Sequence, residues 1–158
     1  MILPAQQIRA IEPPVVLPFR ERTFHPSSGM TFGLGPAGYD VRVEQSLLLK
    51  PGAFALASTV ERFDMPRDVI AFVHDKSSWA RKGLACQNTV IEPGWRGYLT
   101  VELTNHSHDP IYIASGSPIA QIIWHWLAEP TEAPYRGRYQ DQLAGPQPAI
   151  HAAEGDEI

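Results

Sequence analysis

The sequence has one cysteine, Cys86, in 158 residues, which leaves no partner for an internal disulfide and no CxxC pair for a zinc site. A small apolar packing role is the expectation for it. Charge of either sign is also sparse. Thirteen Lys and Arg stand against 17 Asp and Glu, a formal net charge of −4, so no broad field draws the chain to nucleic acid or to an anionic membrane. Any anion site must therefore be local. No apolar run approaches the roughly 20 residues that a membrane-spanning helix requires, and MILPAQQIRA lacks the basic-then-apolar layout of a signal peptide. A soluble, cytoplasmic protein without nucleic-acid or membrane partners is expected. Long helical periodicity is missing too: only 4–11, led by a proline suited to a first turn, and 77–82 suggest helix. Metal-ligand spacing is as poor. His106 and His108 share a strand parity, but NHSHDP reads as a turn with no third ligand, and His25, His74 and His125 are isolated.

What the sequence does contain is β grammar. Fifteen prolines and twelve glycines punctuate short runs rich in Val, Ile, Leu, Thr and aromatics. The pattern predicts strands over 38–43, 46–49, 54–59, 69–74, 89–91, 97–104, 111–114 and 119–127. KPGA, EPGWRG and ASGSP each supply a glycine where a turn needs positive φ. The length suits one domain. Residues 1–128 are expected to form it. From 129 to 158 strand periodicity gives way to a polar tail rich in Pro and Gly, its last ten residues expected to be disordered. Within that tail YRGRYQDQ has too many aromatics and arginines for a passive linker.

Two stretches carry chemistry. DKSSWARKGL sets two hydroxyls among three cations in an otherwise strand-like sequence. One helical turn there would converge Lys76, Ser77, Ser78 and Arg81 on a single anion, naturally a phosphate; alternatively Ser77 only caps the turn and the cations are solvated. In VIEPGWRGYLTVEL, alternation puts Leu99, Val101 and Leu103 on one strand face and Tyr98, Thr100, Glu102 and Thr104 on the other. Glu102 then faces solvent or a cleft, either simply hydrated or, beside a cation such as Arg81 and a water, as a general base.

GYDVRV, DKSSWARKGL, IEPGWRGYLTVELTN, GSPIAQIIW and PYRGRYQDQ, in that order, resemble the dCTP deaminase and dUTPase superfamily from about residue 38 to 142. The resemblance implies an all-β fold, a distorted, jelly-roll-like barrel of the dUTPase type with short helical segments. It also implies a homotrimer with active sites between subunits, acting on a deoxynucleoside triphosphate. In the deaminase branch, Lys76, Ser77, Ser78 and Arg81 correspond to phosphate ligands, a serine near the attacking water and an arginine beside the catalytic glutamate. That glutamate falls on Glu102, a position not normally acidic in dUTPases. Tyr135, Arg138 and Gln142 match tail residues that close over the phosphates. Where Lys76 stands the family usually has arginine, whose bidentate fork is lost.

Other features are similar to the dUTPase branch. The loop KGLACQNTV, which contains Asn88 as a base-reading candidate, is shorter than its deaminase counterpart and lacks the usual TAHR-like sequence. Glu92 falls on the acid that activates water at phosphate in dUTPases, and Trp95 on the aromatic that stacks against deoxyribose, or else it simply covers the barrel end. The expectation is zinc-independent hydrolytic deamination of dCTP to dUTP and ammonia, since the His-x-Glu and Pro-Cys-x-x-Cys signature of zinc deaminases is absent. Glu102 would be the base, Arg81 its support and Ser77 the water-orienting group. Lys76, Ser78, Tyr135, Arg138 and Gln142 would bind phosphates, with Mg²⁺ only as the triphosphate's companion. The alternatives are a dUTPase, a bifunctional deaminase–dUTPase, a non-catalytic nucleotide-binding regulator, and a cupin-like barrel with metal on His106 and His108.

Overall fold

The computed structural model describes residues 1–151, and residues 152–158, most of the segment expected to be disordered, lie outside the described residues. Twelve strands and two short helices follow one another: α1 (Ala5–Ala10), β1 (Val16–Leu17), β2 (Thr23–His25), β3 (Met30–Leu34), β4 (Tyr39–Arg42), β5 (Leu47–Leu49), β6 (Phe54–Asp64), β7 (Val69–Asp75), α2 (Ser77–Ala80), β8 (Leu84–Cys86), β9 (Val90–Ile91), β10 (Arg96–Asn105), β11 (Ile111–Ile113) and β12 (Pro118–Trp126). They make a four-stranded sheet, β1-β6-β10-β8, a six-stranded sheet, β2-β3-β4-β12-β7-β9, and the ribbon β11-β5. The all-β, jelly-roll-like class expected from the sequence is the one observed.

Period-2 alternation places the core between the sheets. Val69, Ala71 and Val73 of β7, Tyr39 and Val41 of β4, and Leu99, Val101 and Leu103 of β10 all point inward. Trp124 of β12 is fully buried edge-on to Tyr39, ring centroids 6.2 Å apart. The turn glycines behave as the sequence implied, Gly52, Gly94 and Gly116 having φ of 73°, 82° and 79°. Cys86 is buried on β8, and burial pushes its thiol up to about 12, so it is inert at neutral pH.

The structure extends the predicted strands at two kinds of place. Short strands β1, β2, β3 and β8 had no clear period, and β3 carries Gly33, where a Cβ would meet the Glu21 carbonyl oxygen at 2.5 Å. The strand predicted over 54–59 continues to Asp64. Its inward positions there are Ala57, Thr59, Glu61 and Phe63, so a carboxylate interrupts the apolar face. Glu61 is wholly buried because Arg42 of β4 pairs with it, Nε to Oε1 at 2.7 Å and backbone N to Oε2 at 2.9 Å. Thr59, Val60 and Glu61 oppose Leu99 alone, since pairing passes from Tyr98 with Arg62 to Thr100 with Ser58. Two extra residues keep the alternation in phase, so Thr100 and Glu102 stay on the outer face. The Leu99 N–H left by this bulge is taken by the Thr59 hydroxyl at 3.0 Å.

Candidate active site

On β10 the inward residues are buried and Tyr98, Thr100, Glu102 and Thr104 are half-buried, as alternation predicts. Their face is one wall of a cavity of about 540 Å³, which Leu56 of β6, Glu92, Trp95 and residues of the tail complete. Glu102 is the notable group. Its Oε2 is buried without a hydrogen-bond partner among the described residues, and burial holds its carboxyl above the ordinary carboxylate value, its own backbone N–H opposing this only in part. A carboxyl so placed in a cleft is a candidate for proton transfer.

The tail lies across this cavity. Trp95, packed against Phe63 with ring centroids 6.1 Å apart, donates its indole N–H to the Tyr139 carbonyl at 2.7 Å. It is therefore barrel cover and cavity wall at once. Tyr135 is anchored by its N–H on the Pro93 carbonyl at 2.8 Å, and its hydroxyl accepts the Tyr139 N–H at 3.2 Å. Gln142 Nε2 donates to the Thr100 hydroxyl at 2.5 Å, and the Gln142 backbone bridges Gly97. Glu92 is exposed at the rim and also edges a second cavity of about 400 Å³ with Pro93, Thr131 and Tyr135.

Of the residues singled out in the sequence, Glu102, Glu92, Trp95, Tyr135 and Gln142 thus converge within one chain. Ser77, Ser78, Lys76, Arg81, Asn88 and Arg138 do not line that cavity. Ser77 and Arg81 are exposed on or just after α2, and Ser78 is half-exposed. Lys76 is nearly buried and donates from Nζ to Asp40 Oδ2 at 2.6 Å, so that carboxylate already takes one of its three N–H groups. Asn88 is exposed between β8 and β9; its neighbour Thr89 is the loop residue that lines the cavity. Thr100, Tyr139 and Gln147 were missed as site residues. Thr100 was legible from its parity with Glu102, whereas nothing local announces that a tail returns to its own barrel. His106 and His108 are exposed, and among the described residues no three His, Cys, Asp or Glu side chains gather as a metal set.

The family described as dCTP deaminase-like matches residues 38–126, from the start of β4 to the end of β12. The chain belongs to the dCTP deaminase-like family. Among the curated relatives, a dCTP deaminase of Thermococcus sibiricus is 34% identical over 155 residues, covering 89% of this chain and 92% of its own. A dCTP deaminase of Campylobacter fetus subsp. fetus is 32% identical over 166 residues, covering 85% and 89%. Solved structures share the fold at lower identity. The native EIAV dUTPase superposes with a TM-score of 0.53 at 24% identity, covering 64% of this chain and 84% of its own. The dUTPase of phage phi11 of S. aureus superposes at 0.57 and 17% identity, covering 73% and 88%. Family membership covers the strand that carries Glu102; the tail beyond β12 lies outside the matched segment.

Proposed function

We propose that this member of the dCTP deaminase-like family deaminates dCTP hydrolytically to dUTP and ammonia. The observation that carries the reading is Glu102, a half-buried carboxyl with an unpartnered oxygen that lines the cavity of about 540 Å³. Glu102 takes a proton from water as the oxygen bonds to C4 of cytosine, and delivers it to ring N3. A second proton passes from the new hydroxyl to the amine, the C4–N bond breaks, and ammonia leaves behind a carbonyl. Water and dCTP are consumed, dUTP and ammonia formed, and no zinc-bound hydroxide is needed in the scheme. Mg²⁺ belongs here to the triphosphate substrate, neutralising its charge.

Arg81 and Ser77 enter this scheme from a second copy of the chain. Neither Ser77 nor Arg81 lines the Glu102 cavity and both are exposed, which fits a homotrimer in which one subunit's α2 faces its neighbour's β10. Ser78, Arg138, Tyr135 and Gln142 then meet the phosphates, Lys76 joins them, and Asn88 with Thr89 borders the base. Residues 1–128 form the barrel domain and 129–151 its closing tail. Mixing Glu102→Gln and Arg81→Ala subunits, each expected to be inactive, should restore activity at about a quarter of the shared sites under random assembly. Activity that stays at zero after remixing would place both groups in one subunit's site.

A second reading has its own observation. Glu92 sits exposed at the rim joining both cavities, where an acid can activate water toward a phosphate instead of a base. Incubating the protein separately with dCTP and with dUTP in Mg²⁺, and resolving dUTP, dUMP and pyrophosphate by ion exchange, separates the readings. Glu92→Gln is expected to leave dUTP formation from dCTP within about threefold of the parent, well short of the loss of a general base. Loss of pyrophosphate release from dUTP in that variant would establish the second activity.

A further inference from the structure

The tail is held at a point that the catalytic scheme does not use. Residues 140–142 lie along 94–98 as a short parallel rung. Gln140 Oε1 accepts the Arg96 N–H at 3.1 Å, and its Nε2 donates to the Gly94 carbonyl at 2.9 Å. The Asp141 N–H donates to the Arg96 carbonyl and the Tyr98 N–H to the Gln142 carbonyl, each at 3.0 Å. At the centre, the Arg96 guanidinium grips the Asp141 carboxylate with both arms, Nε on Oδ1 and Nη2 on Oδ2, the latter at 3.0 Å.

Asp141 reaches that geometry at φ 59°, and it is the only non-glycine with positive φ among the described residues. Aspartate is one of the few side chains that tolerate this region, and here its carboxylate is what the conformation presents to Arg96. Gly97 on the other side has no room for a side chain: a Cβ would meet the Gln142 N at 2.7 Å. The tail is thus fitted closely to the barrel here. Beyond this rung the contacts are single hydrogen bonds, Gly145 N–H to the Ser58 hydroxyl at 3.2 Å, Gln147 N–H to the Thr100 hydroxyl at 3.0 Å and Ile150 N–H to the Tyr139 hydroxyl at 2.8 Å. Thr100 accepts from both Gln142 and Gln147 and stands two residues before Glu102 on the same face.

We propose that the Arg96–Asp141 pair is the clasp that positions the tail over the cavity, so that both are positioning residues for the nucleotide reaction; this rests on the function proposed above. Arg96 and Asp141 do not themselves line the cavity. They act through Gln142 and Gln147, which do line it. Both partners are about half exposed, and Arg62 and Asp64 of β6 are the other charged groups close by, themselves 4.0 Å apart. Added salt therefore screens the clasp.

The test uses the full chain as parent, Asp141→Asn and Arg96→Lys. Hydrogen exchange of peptides spanning 139–150 is followed by mass spectrometry, alongside KM and kcat for dCTP, all at about 50 mM and about 500 mM NaCl. Asp141→Asn should exchange about fivefold faster there, raise KM by a similar factor, leave kcat unchanged and make the exchange of that segment insensitive to salt. Arg96→Lys, which keeps the charge, should retain the salt dependence of exchange. Unchanged exchange in Asp141→Asn overturns the clasp, and faster exchange with an unchanged KM overturns its role in the reaction. If the parent turns over neither dCTP nor dUTP, the functional reading fails, while exchange still decides the clasp.

Discussion

Glu102→Gln is expected to leave nucleotide binding within a few-fold of the parent and to lower ammonia release from dCTP by roughly 10²- to 10⁴-fold, the range for removal of a positioned general base. The exchange of oxygen for NH₂ keeps the volume, so binding measured by calorimetry tests folding and site shape while ammonia release tests the proton carrier. Loss of both would instead mean that the cavity collapsed. The raised carboxyl of Glu102 adds a pH signature. The base works only when ionised, so the acid limb of kcat/KM should lie above the ordinary carboxylate range and disappear with the substitution.

The same shift fixes the sign of a stability effect. Below the unfolded-state value, about 4.3 for glutamate, the carboxyl is protonated in both states and costs nothing. As pH rises from there the unfolded chain releases its proton first, and the folded state, which holds it longer, loses stability until the folded value is passed. Glu102→Gln should therefore raise Tm at neutral pH and leave it unchanged near pH 4. A variant less stable at neutral pH would show that the carboxylate has a partner which burial conceals.

The legible part of this protein was the part written in periods and turns. Alternation along 97–104 oriented Glu102 correctly, and Gly52, Gly94 and Gly116 stand in the turns assigned to them. Motif order led to the family that the chain belongs to. What the sequence hid has a common cause. Asp40 with Lys76, Arg42 with Glu61, and Thr100 with Gln142 are pairs separated by 36, 19 and 42 residues, and each decides what a polar side chain is free to do. No local pattern encodes such partners. The tail shows the same limit: its composition signalled an end to the barrel, but its docking depends on Gly97 and Arg96, far upstream.

Glu61→Ala is expected to be the most destabilising single change, costing about 3–5 kcal/mol because it strands the Arg42 guanidinium and its backbone N–H in the interior. For a domain of this length that lowers Tm by roughly 6–20 °C, read by thermal unfolding in circular dichroism. The consequence extends to the site. The Thr59 hydroxyl donates to the Glu61 carbonyl at 2.7 Å and accepts the Leu99 N–H, so the segment that buries Glu61 also sets the bulge from which Thr100 and Glu102 emerge. Replacing both partners with apolar groups, Glu61→Leu with Arg42→Met, removes the stranded charge and should recover most of the lost Tm. If the double variant unfolds as early as Glu61→Ala, the pair is holding the bulge itself. If Glu61→Ala alone shifts Tm by less than about 2 °C, water enters and satisfies Arg42, and the buried pair is not what fixes β6 against β4.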